Sequence, residues 1–341
     1  MTTTPLIFIL SVFAGAQTGN RLIPLKPKAT CGRMVKLIKR KERDQLTAKD
    51  NSTLNPYTPP VARVRPGEAV EVETWDAYGG VVSPTQSFQD AAEKGLVGAL
   101  NPVTGPIYVE GAEPGDTLVV ELLGIDLPQW GAASIIPGFG ALEGWLNLME
   151  PRTKVCTIKD GKVLYEADHG KVLEIPVDPF IGTIGVSPAH EAIQTLAPGP
   201  HGGNMDCPDI KPGNRLSLPV SQRGALFGLG DVHAVQGDGE ICGTAIEVGS
   251  TVKLRFSVEH KTIAWPRVES ASEIMTVCSA RPLEDAARLA YRELINWMTE
   301  YGWSRDDAYM FLSQAAKARV AQIVDPLYTV VAKLDKRYLK G

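Results

Sequence analysis

Side chains suited to polar chemistry gather in three glycine-rich stretches of the chain. These are GDVHAVQGDGEICG at residues 230–243, PGPHGGNMDCPD at 198–209 and GPIYVEGAEPGD at 105–116. Two of the five histidines fall within them, together with several carboxylates. Histidine and carboxylate side chains from separate loops are typical zinc or calcium ligands, although their spacing matches no zincin motif. The stretches predict a functional site, with polar hairpin tips that simply face water as the alternative.

The stretch at residues 230–243 needs a turn before its side chains can act together. In a plain strand, successive side chains alternate between faces, so His233 would point away from Asp238 and Glu240. Gly237 and Gly239 bracket Asp238, and glycine allows the backbone to reverse there. We therefore expect His233 and the carboxylates to converge in an active-site segment.

The other two stretches offer a carboxylate and a flexible backbone. Glu110 ends an apolar strand just before Gly111, so it is expected to project from a sheet end into a cleft. Gly202 and Gly203 lack side chains, which would let their backbone amides approach a ligand closely.

The elements that must position these residues are mainly strands. Four segments combine a tight-turn signal with strand-like alternation: RPGEAVEVETW, EPGDTLVVELLG, KPGNRLSLPV and VGSTVKLRFSV. Many short strands separated by Gly and Pro turns predict a mainly β fold with a sandwich or barrel-like core and a smaller α+β portion.

Helical patterns occur near the C-terminus, at residues 282–302 and 304–319. Pro282 opens the first and Gly302 ends it, and Ser304 is the expected N-cap of the second. We therefore divide the chain into an unassigned N-terminal arm (1–60), a β-rich catalytic core (61–280) and a C-terminal helical segment packed on the core (281–341).

Composition limits the partners and the compartment. A net charge of −4 provides no basic surface for nucleic acid. The five scattered cysteines form no C-x-x-C pair, which favours a reducing cytoplasm without disulfides. The apolar run at residues 5–17 has no Lys or Arg before it and is too short for a membrane span, so it predicts a packed arm rather than a signal peptide. That arm and the apolar loop at 127–149 predict a homo-oligomer.

Several blocks closely resemble the acetamidase/formamidase family of amide hydrolases. They are GPIYVEGAEPGDTLVVEL, HGGNMDCPDIKPGNRLSLPV, GDVHAVQGDGEICGTAIE and, near the C-terminus, SRDDAYMFLSQAAKARVAQIVDP. The resemblance runs from about residue 61 to residue 328 and leaves the first sixty residues outside it. It implies a largely β architecture and hydrolysis of a small carboxamide to carboxylate and ammonia, with a cyclic γ-lactam as the alternative substrate.

Amide hydrolysis needs an activated nucleophile, a stabilised oxyanion and a proton for the leaving nitrogen, and the candidate residues divide among these roles. A divalent metal, with zinc preferred over calcium, would activate water and polarise the carbonyl. The predicted ligands are His201, Asp206 and His233. The predicted proton-transfer groups are Glu110 or Glu240, and Asp238 is a further catalytic candidate and reserve ligand. Asn204 and the amides around Gly202 and Gly203 are expected to hold the amide or the oxyanion.

Two alternatives remain open from the residues alone. Cys242 could act as a nucleophile with Glu240 as its base, although its place at the start of an apolar strand favours a buried structural cysteine. A non-catalytic β-sandwich that binds carbohydrate would need aromatic platforms, whereas Trp75, Trp130 and Trp145 lie in separate segments.

Overall fold

In a computed structural model of the protein, residues 36–46, 51–98, 100–146 and 150–339 are described. The apolar run at 5–17 and the last three residues of the apolar loop at 127–149 lie outside these ranges. None of the helices in the described ranges combines the length and apolar character needed to cross a membrane.

The first sheet of the described chain has nine strands. In spatial order these are β1 (Lys36–Ile38), β4 (Ala69–Thr74), β17 (Ser250–Glu259), β6 (Thr117–Asp126), β14 (Arg215–Pro219), β18 (Arg267–Glu269), β19 (Glu273–Ala280), β21 (Tyr328–Asp335) and β20 (Lys317–Gln322). β1 runs parallel to β4 and the other neighbours are antiparallel. In β4, Val70 and Val72 are buried while the intervening residues are half-buried, as the alternating sequence requires.

The second sheet has ten strands in the described ranges and carries most of the candidate site. Eight of them follow the order β10 (Val172–Pro176), β9 (Lys162–Glu166), β8 (Arg152–Lys159), β7 (Trp130–Ile135), β16 (Glu247–Val248), β15 (Phe227–His233), β11 (Phe180–Gly185) and β13 (Gly202–Asn204). Beside this path, β5 (Thr104–Val109) pairs with both β15 and β3 (Ala62–Val64). A short separate pair joins β2 (Thr53–Leu54) to β12 (Ile193–Gln194).

The main apolar cluster of the described residues joins the two large sheets. It contains Val72 of the first sheet together with Ile107 and Leu229 of the second. The rings of Phe227 in β15 and Phe256 in β17 meet edge to face, with their centroids 5.0 Å apart. The predicted mainly β architecture is therefore confirmed, and the sheets stay open instead of closing into a barrel.

Three α-helices complete the described chain: α1 (Phe88–Glu93), α2 (Leu283–Thr299) and α3 (Arg305–Ala315). α2 buries Leu294 and Met298 in a second apolar cluster that includes residues of β19 and β21. The Ser304 hydroxyl accepts a hydrogen bond from the Asp307 amide, which confirms the predicted N-cap of α3. The predicted helix at 304–319 ends earlier, because Ala316 is extended and β20 follows.

The boundaries drawn from sequence differ from the structure at both ends of the core. β1 and β2 fall within the predicted arm of residues 1–60, yet they pair with strands of the core. β20 and β21 fall within the predicted helical segment of residues 281–341, yet they complete the edge of the first sheet. Both differences arise because sheet pairing joins residues that are distant in sequence.

Candidate active site

His233, the last residue of β15, lies at the centre of a buried group of carboxylates. Its Nε2 atom is 3.1 Å from Glu247 Oε2, 3.2 Å from Asp231 Oδ1 and 3.9 Å from Asp206 Oδ1. All four side chains are almost fully buried. Glu247 reaches this position because it is the cross-strand partner of His233 between β16 and β15. Asp231 lies two residues earlier on the same face of β15.

Gln236 determines which ring nitrogen of His233 carries the proton. The Gln236 side-chain amide nitrogen donates to the backbone carbonyls of Asp206 and Ala321, each at 3.1 Å. Its Oε1 atom lies 2.9 Å from His233 Nδ1. Because an amide oxygen can only accept, the proton of the neutral ring belongs on Nδ1. Nε2 then presents its lone pair toward the carboxylates, as a metal-ligating histidine requires.

Two overlapping groups of side chains could hold a metal ion. One consists of Asp231, His233 and Glu247, and the other of Asp206, His233 and Glu240, with ligand atoms within 4.8 Å of one another in each group. Zinc bonds of about 2.0–2.2 Å in a tetrahedral site place neighbouring ligand atoms roughly 3.4 Å apart. The distances from His233 Nε2 to Asp231 and Glu247 are close to that value. In the second group, His233 Nε2 and Asp206 Oδ1 are farther apart, at 3.9 Å.

Two buried carboxylate oxygens at this centre support the same assignment. Asp206 Oδ1 and Glu247 Oε2 have no hydrogen-bond partner within the described chain. Nε2 of His233 lies 3.1 Å from Glu247 Oε2; it offers that oxygen a donor only when the ring is protonated at both nitrogens, and none when the neutral ring carries its proton on Nδ1. Burying such oxygens without a partner is costly unless a cation or a proton neutralises them.

The ionisation of the group reflects its burial. Burial, followed by the charge of Asp206, raises the pKa of Glu240 well above its ordinary value. Burial raises the pKa of Glu247 to about 8 and that of Asp206 to about 6. Burial alone would lower the pKa of His233, but the charges of Glu247 and Asp231 outweigh it and raise that pKa well above the ordinary value. When no cation is bound, protons on these side chains therefore reduce the repulsion among the carboxylates.

Three of the acidic residues adopt backbone angles that are uncommon outside glycine. The φ angle is +42° at Asp206, +55° at Asp231 and +46° at Glu240. Positive φ is least expected for glutamate, which lacks the local hydrogen bonding that helps aspartate adopt it. Such conformations cost free energy and persist where the surrounding structure enforces them, often at functional sites.

An amide network centred on Asn204 orients two of the carboxylates. Asn204 Nδ2 donates to Asp206 Oδ2 at 2.8 Å and to Asp325 Oδ2 at 2.9 Å. Asn204 Oδ1 accepts from Asn101 Nδ2 at 3.1 Å and also from the Thr183 hydroxyl. Since both of its amide hydrogens already have carboxylate partners, Asn204 positions acids and has no donor left for an oxyanion.

The cluster opens into a cavity of about 180 Å³. Asn204, Asp231, Glu240, Glu247 and Asp325 form its polar side. Tyr78 also lines it, and its buried hydroxyl has no hydrogen-bond partner among the described residues. Burial, followed by the charge of Glu247, raises the pKa of Tyr78 well above its ordinary value, so the hydroxyl stays a donor.

The glycine turn places Glu240 beside His233 and leaves Asp238 outside. The Gly239 amide donates to the Ala321 carbonyl at 3.0 Å, and Gly239 has a φ of +89°. Glu240 thereby joins a ligand group with His233. Asp238 instead points to solvent and pairs with Arg319 Nε at 2.9 Å. The structure thus corrects the placement of Asp238 as a catalytic residue or reserve ligand.

Glu110 and His201 also lie apart from the cluster. Glu110 occupies an exposed turn after β5, where its carboxylate is 3.5 Å from Arg65 Nε, so the cleft position predicted for it is wrong. His201 is buried but belongs to neither ligand group. Burial lowers the pKa of His201 to about 4, and both ring nitrogens lack a partner among the described residues. His201 packs beside Gly199 and Gly203 instead of reaching the ligands predicted with it.

Gly202 and Gly203 serve the backbone packing of β13. The Gly202 amide donates to the Gly199 carbonyl at 3.0 Å, and Gly203 pairs with Ile184 of β11. A Cβ atom on either glycine would lie 2.3 Å from a backbone carbonyl oxygen. The predicted ligand contact by these amides is therefore replaced by close strand packing.

Sequence reasoning missed several residues that line or support the site. Asp231, Gln236 and Glu247 lie within or just after the quoted stretch at residues 230–243, but their roles depend on the register between β15 and β16. Asp325 lies in the C-terminal block that resembles the amidase family. Asn101 had no sequence signal, because its neighbours in space come from distant strands.

Residues 38–194 and 189–282 match the Acetamidase/Formamidase family, and the chain belongs to that family. It is accordingly an amide hydrolase that acts on C–N bonds other than peptide bonds. A solved acetamidase from Yersinia enterocolitica is 39% identical, with a TM-score of 0.80 over 91% of this chain and 95% of that chain. The acetamidase of Mycolicibacterium smegmatis is 27% identical over 340 residues, covering 76% of this chain and 83% of that protein.

A more distant solved structure shares the fold alone. The gamma lactamase from Delftia acidovorans has a TM-score of 0.61 at 21% identity, over 89% of this chain and 93% of that chain. Membership of an amide hydrolase family also sets aside the carbohydrate-binding alternative.

Proposed function

We propose that the protein hydrolyses a small carboxamide to carboxylate and ammonia with the help of a divalent metal, preferably zinc. The observation that carries this proposal is the geometry around His233 Nε2. Its lone pair faces Asp231 and Glu247 at 3.2 and 3.1 Å, at the polar side of a cavity. We assign these three residues as metal ligands. Asp206 lies next to them, with its Oδ1 atom 3.9 Å from His233 Nε2.

The bound ion would lower the pKa of a water ligand to about 7 and polarise the amide carbonyl. Glu240 lines the same cavity and its burial raises its pKa, which suits a group that both accepts and returns a proton. As the C–O bond forms, Glu240 accepts a proton from the attacking water. As the C–N bond breaks, it returns that proton to the nitrogen, which leaves as ammonia. Tyr78 is the donor that we place at the carbonyl oxygen.

Metal analysis and ammonia release from formamide, acetamide and propionamide test the proposal directly. The protein should be purified without chelator, then stripped and reloaded with zinc or calcium. We expect His233→Ala to lose both metal and activity, and Glu240→Gln to keep the metal while activity falls by at least about 100-fold. Glu110→Gln is the matched control, since that carboxylate is exposed and remote.

Several outcomes would contradict the proposal. If metal-replete protein released no ammonia from these amides or from longer primary amides, and did not open a γ-lactam, the amide-hydrolase function would fail. If the stripped protein kept full activity, or His233→Ala kept its metal, the ligand assignment would fail. Opening of a γ-lactam in preference to all linear amides would establish the cyclic alternative.

Compartment and assembly belong to the same proposal. The free thiols of Cys156, Cys207, Cys242 and Cys278 support a reducing cytoplasm. Exposed apolar side chains on the loop that follows β7, including Trp145 and Leu146, support a homo-oligomer. Sedimentation at micromolar concentration tests this, and a monomeric mass would contradict it.

A further inference from the structure

We infer that the site prefers primary amides with a compact apolar acyl group, larger than those of formamide and acetamide, and that Phe139 is the specificity-determining wall. This inference rests on the proposed function and specifies its substrate class. Formamide and acetamide would then be poor substrates compared with amides of about four to six carbons. The argument depends on the composition and the size of the cavity and on the contacts of Phe139, which is part of its lining.

The cavity is lined by two chemically different sets of residues. Carboxylates and Asn204 form the polar set, where the amide must react. The apolar set consists of Ala77, Leu100, Ile136, Pro137, Phe139 and Leu196. An acyl group that meets these side chains gains by leaving water, whereas a polar acyl group would lose its hydrogen bonds there.

The cavity is larger than the smallest amides need. Its volume of about 180 Å³ equals roughly six waters at about 30 Å³ each, and an engineered apolar cavity of about 150 Å³ holds benzene. Formamide and acetamide have only three and four non-hydrogen atoms. These small amides would leave the space beside the apolar residues empty or filled with water. In both cases, the binding energy from contact between the acyl group and those residues is lost.

Phe139 lines this cavity and two neighbouring ones. The first of these is an outer cavity of about 460 Å³ that includes Arg281 and Tyr328, and the second is an apolar outer groove that includes Leu142. Because Phe139 contributes to the lining of all three spaces, its truncation would change the apolar lining of the inner cavity.

The loop that carries Phe139 is held in place by the segment after Glu240. The Ala141 amide donates to the Ile241 carbonyl at 2.9 Å. The Phe139 ring lies so close to Gly243 that a Cβ atom there would approach ring atom Cδ1 to 2.4 Å. The residues that hold Phe139 thus directly follow the carboxylate of Glu240 in the chain, which links the acyl-binding part of the cavity to the geometry of the reaction.

The test measures kcat/KM for acetamide, propionamide, butyramide and pentanamide with metal-loaded protein. Burial of a methylene is worth about 0.8 kcal/mol, which corresponds to about a fourfold gain per added carbon. We expect a rise of roughly 60-fold from acetamide to pentanamide. Phe139→Ala should reduce this pentanamide-to-acetamide ratio at least about tenfold, because the acyl chain loses its wall.

Leu142→Ala is the matched control, since Leu142 lines the outer groove but not the inner cavity. It should leave the ratio unchanged, and thermal unfolding should confirm that both variants are folded. A wild-type protein that prefers formamide or acetamide would overturn the inference while the amide-hydrolase function stands. An unchanged ratio in folded Phe139→Ala would overturn the role of Phe139. Absence of hydrolysis of every amide would instead overturn the proposed function itself.

Discussion

Gly182 offers a way to disturb the site without removing any of its functional groups. It lies in β11, is surrounded by the acidic cluster, and has a backbone angle that L-residues adopt freely. A Cβ atom at this position would lie 2.5 Å from Asp206 Oδ1 and 2.6 Å from Asp231 Oδ2. We predict that Gly182→Ala displaces both carboxylates and abolishes efficient catalysis.

The size of the effect follows from these distances. Ordinary contact for a Cβ atom begins at 3.4 Å, so the two carboxylates must move by about 0.9 and 0.8 Å. Displacements near 1 Å in a catalytic arrangement cost about 100-fold in rate. Overpacking by one methyl group in a dense interior costs about 1–3 kcal/mol of the free energy of unfolding. We therefore expect kcat/KM to fall about 100-fold in a protein that still folds.

The assay compares kcat/KM for the preferred amide, bound metal and thermal unfolding in Gly182→Ala and Gly124→Ala. Gly124 lies in β6, has no positive φ, and a Cβ atom there would be 3.7 Å from the Lys253 side chain, an ordinary contact. Gly124→Ala should keep wild-type activity and metal content. If Gly182→Ala retained activity within threefold of wild type, the assignment of Asp206 and Asp231 to the reactive centre would be wrong.

The other predictions concern the histidine, the cysteine and pH. Gln236→Leu removes the acceptor that keeps the proton on His233 Nδ1, and metal affinity by titration should fall about 10–100-fold; an unchanged affinity would show that another group orients the ring. Cys242→Ala should keep turnover within about twofold, because the exposed thiol lies in the outer groove and contacts the Thr244 carbonyl; an inactive variant with normal metal content and stability would establish a nucleophilic cysteine. With chelator present, the free energy of unfolding should decrease from pH 6.5 to 8, because folded Glu247 and His233 retain protons that the unfolded chain has released; a rise of the unfolding temperature over that interval would contradict the assigned protonation.

Local sequence signals predicted the elements that depend on neighbouring residues. The alternation in residues 69–74 corresponds to β4 with Val70 and Val72 buried. Ser304 caps α3 as its spacing from Asp307 indicates. In each case the interaction spans only a few residues, so the pattern contains the information that is needed.

From the sequence, only those features of the candidate site that depend on local turns could be predicted. The glycines around Asp238 allow the reversal that brings Glu240 to His233. The exposed position of Asp238 itself depends on Arg319 from β20. Glu110, the other predicted proton-transfer group, follows β5 and is exposed, with its carboxylate 3.5 Å from Arg65 Nε.

The sequence by itself determined the strand-rich class, the helix caps and the resemblance to an amide hydrolase family, because these depend on short-range pattern and on residue identity. Only the tertiary structure decided which acids meet at His233. Strand register sets Glu247 opposite it, and Asn204 reaches Asp325 across 121 residues of chain. The shifted pKa values likewise required the fold, since burial and the proximity of like charges are properties of assembled sheets.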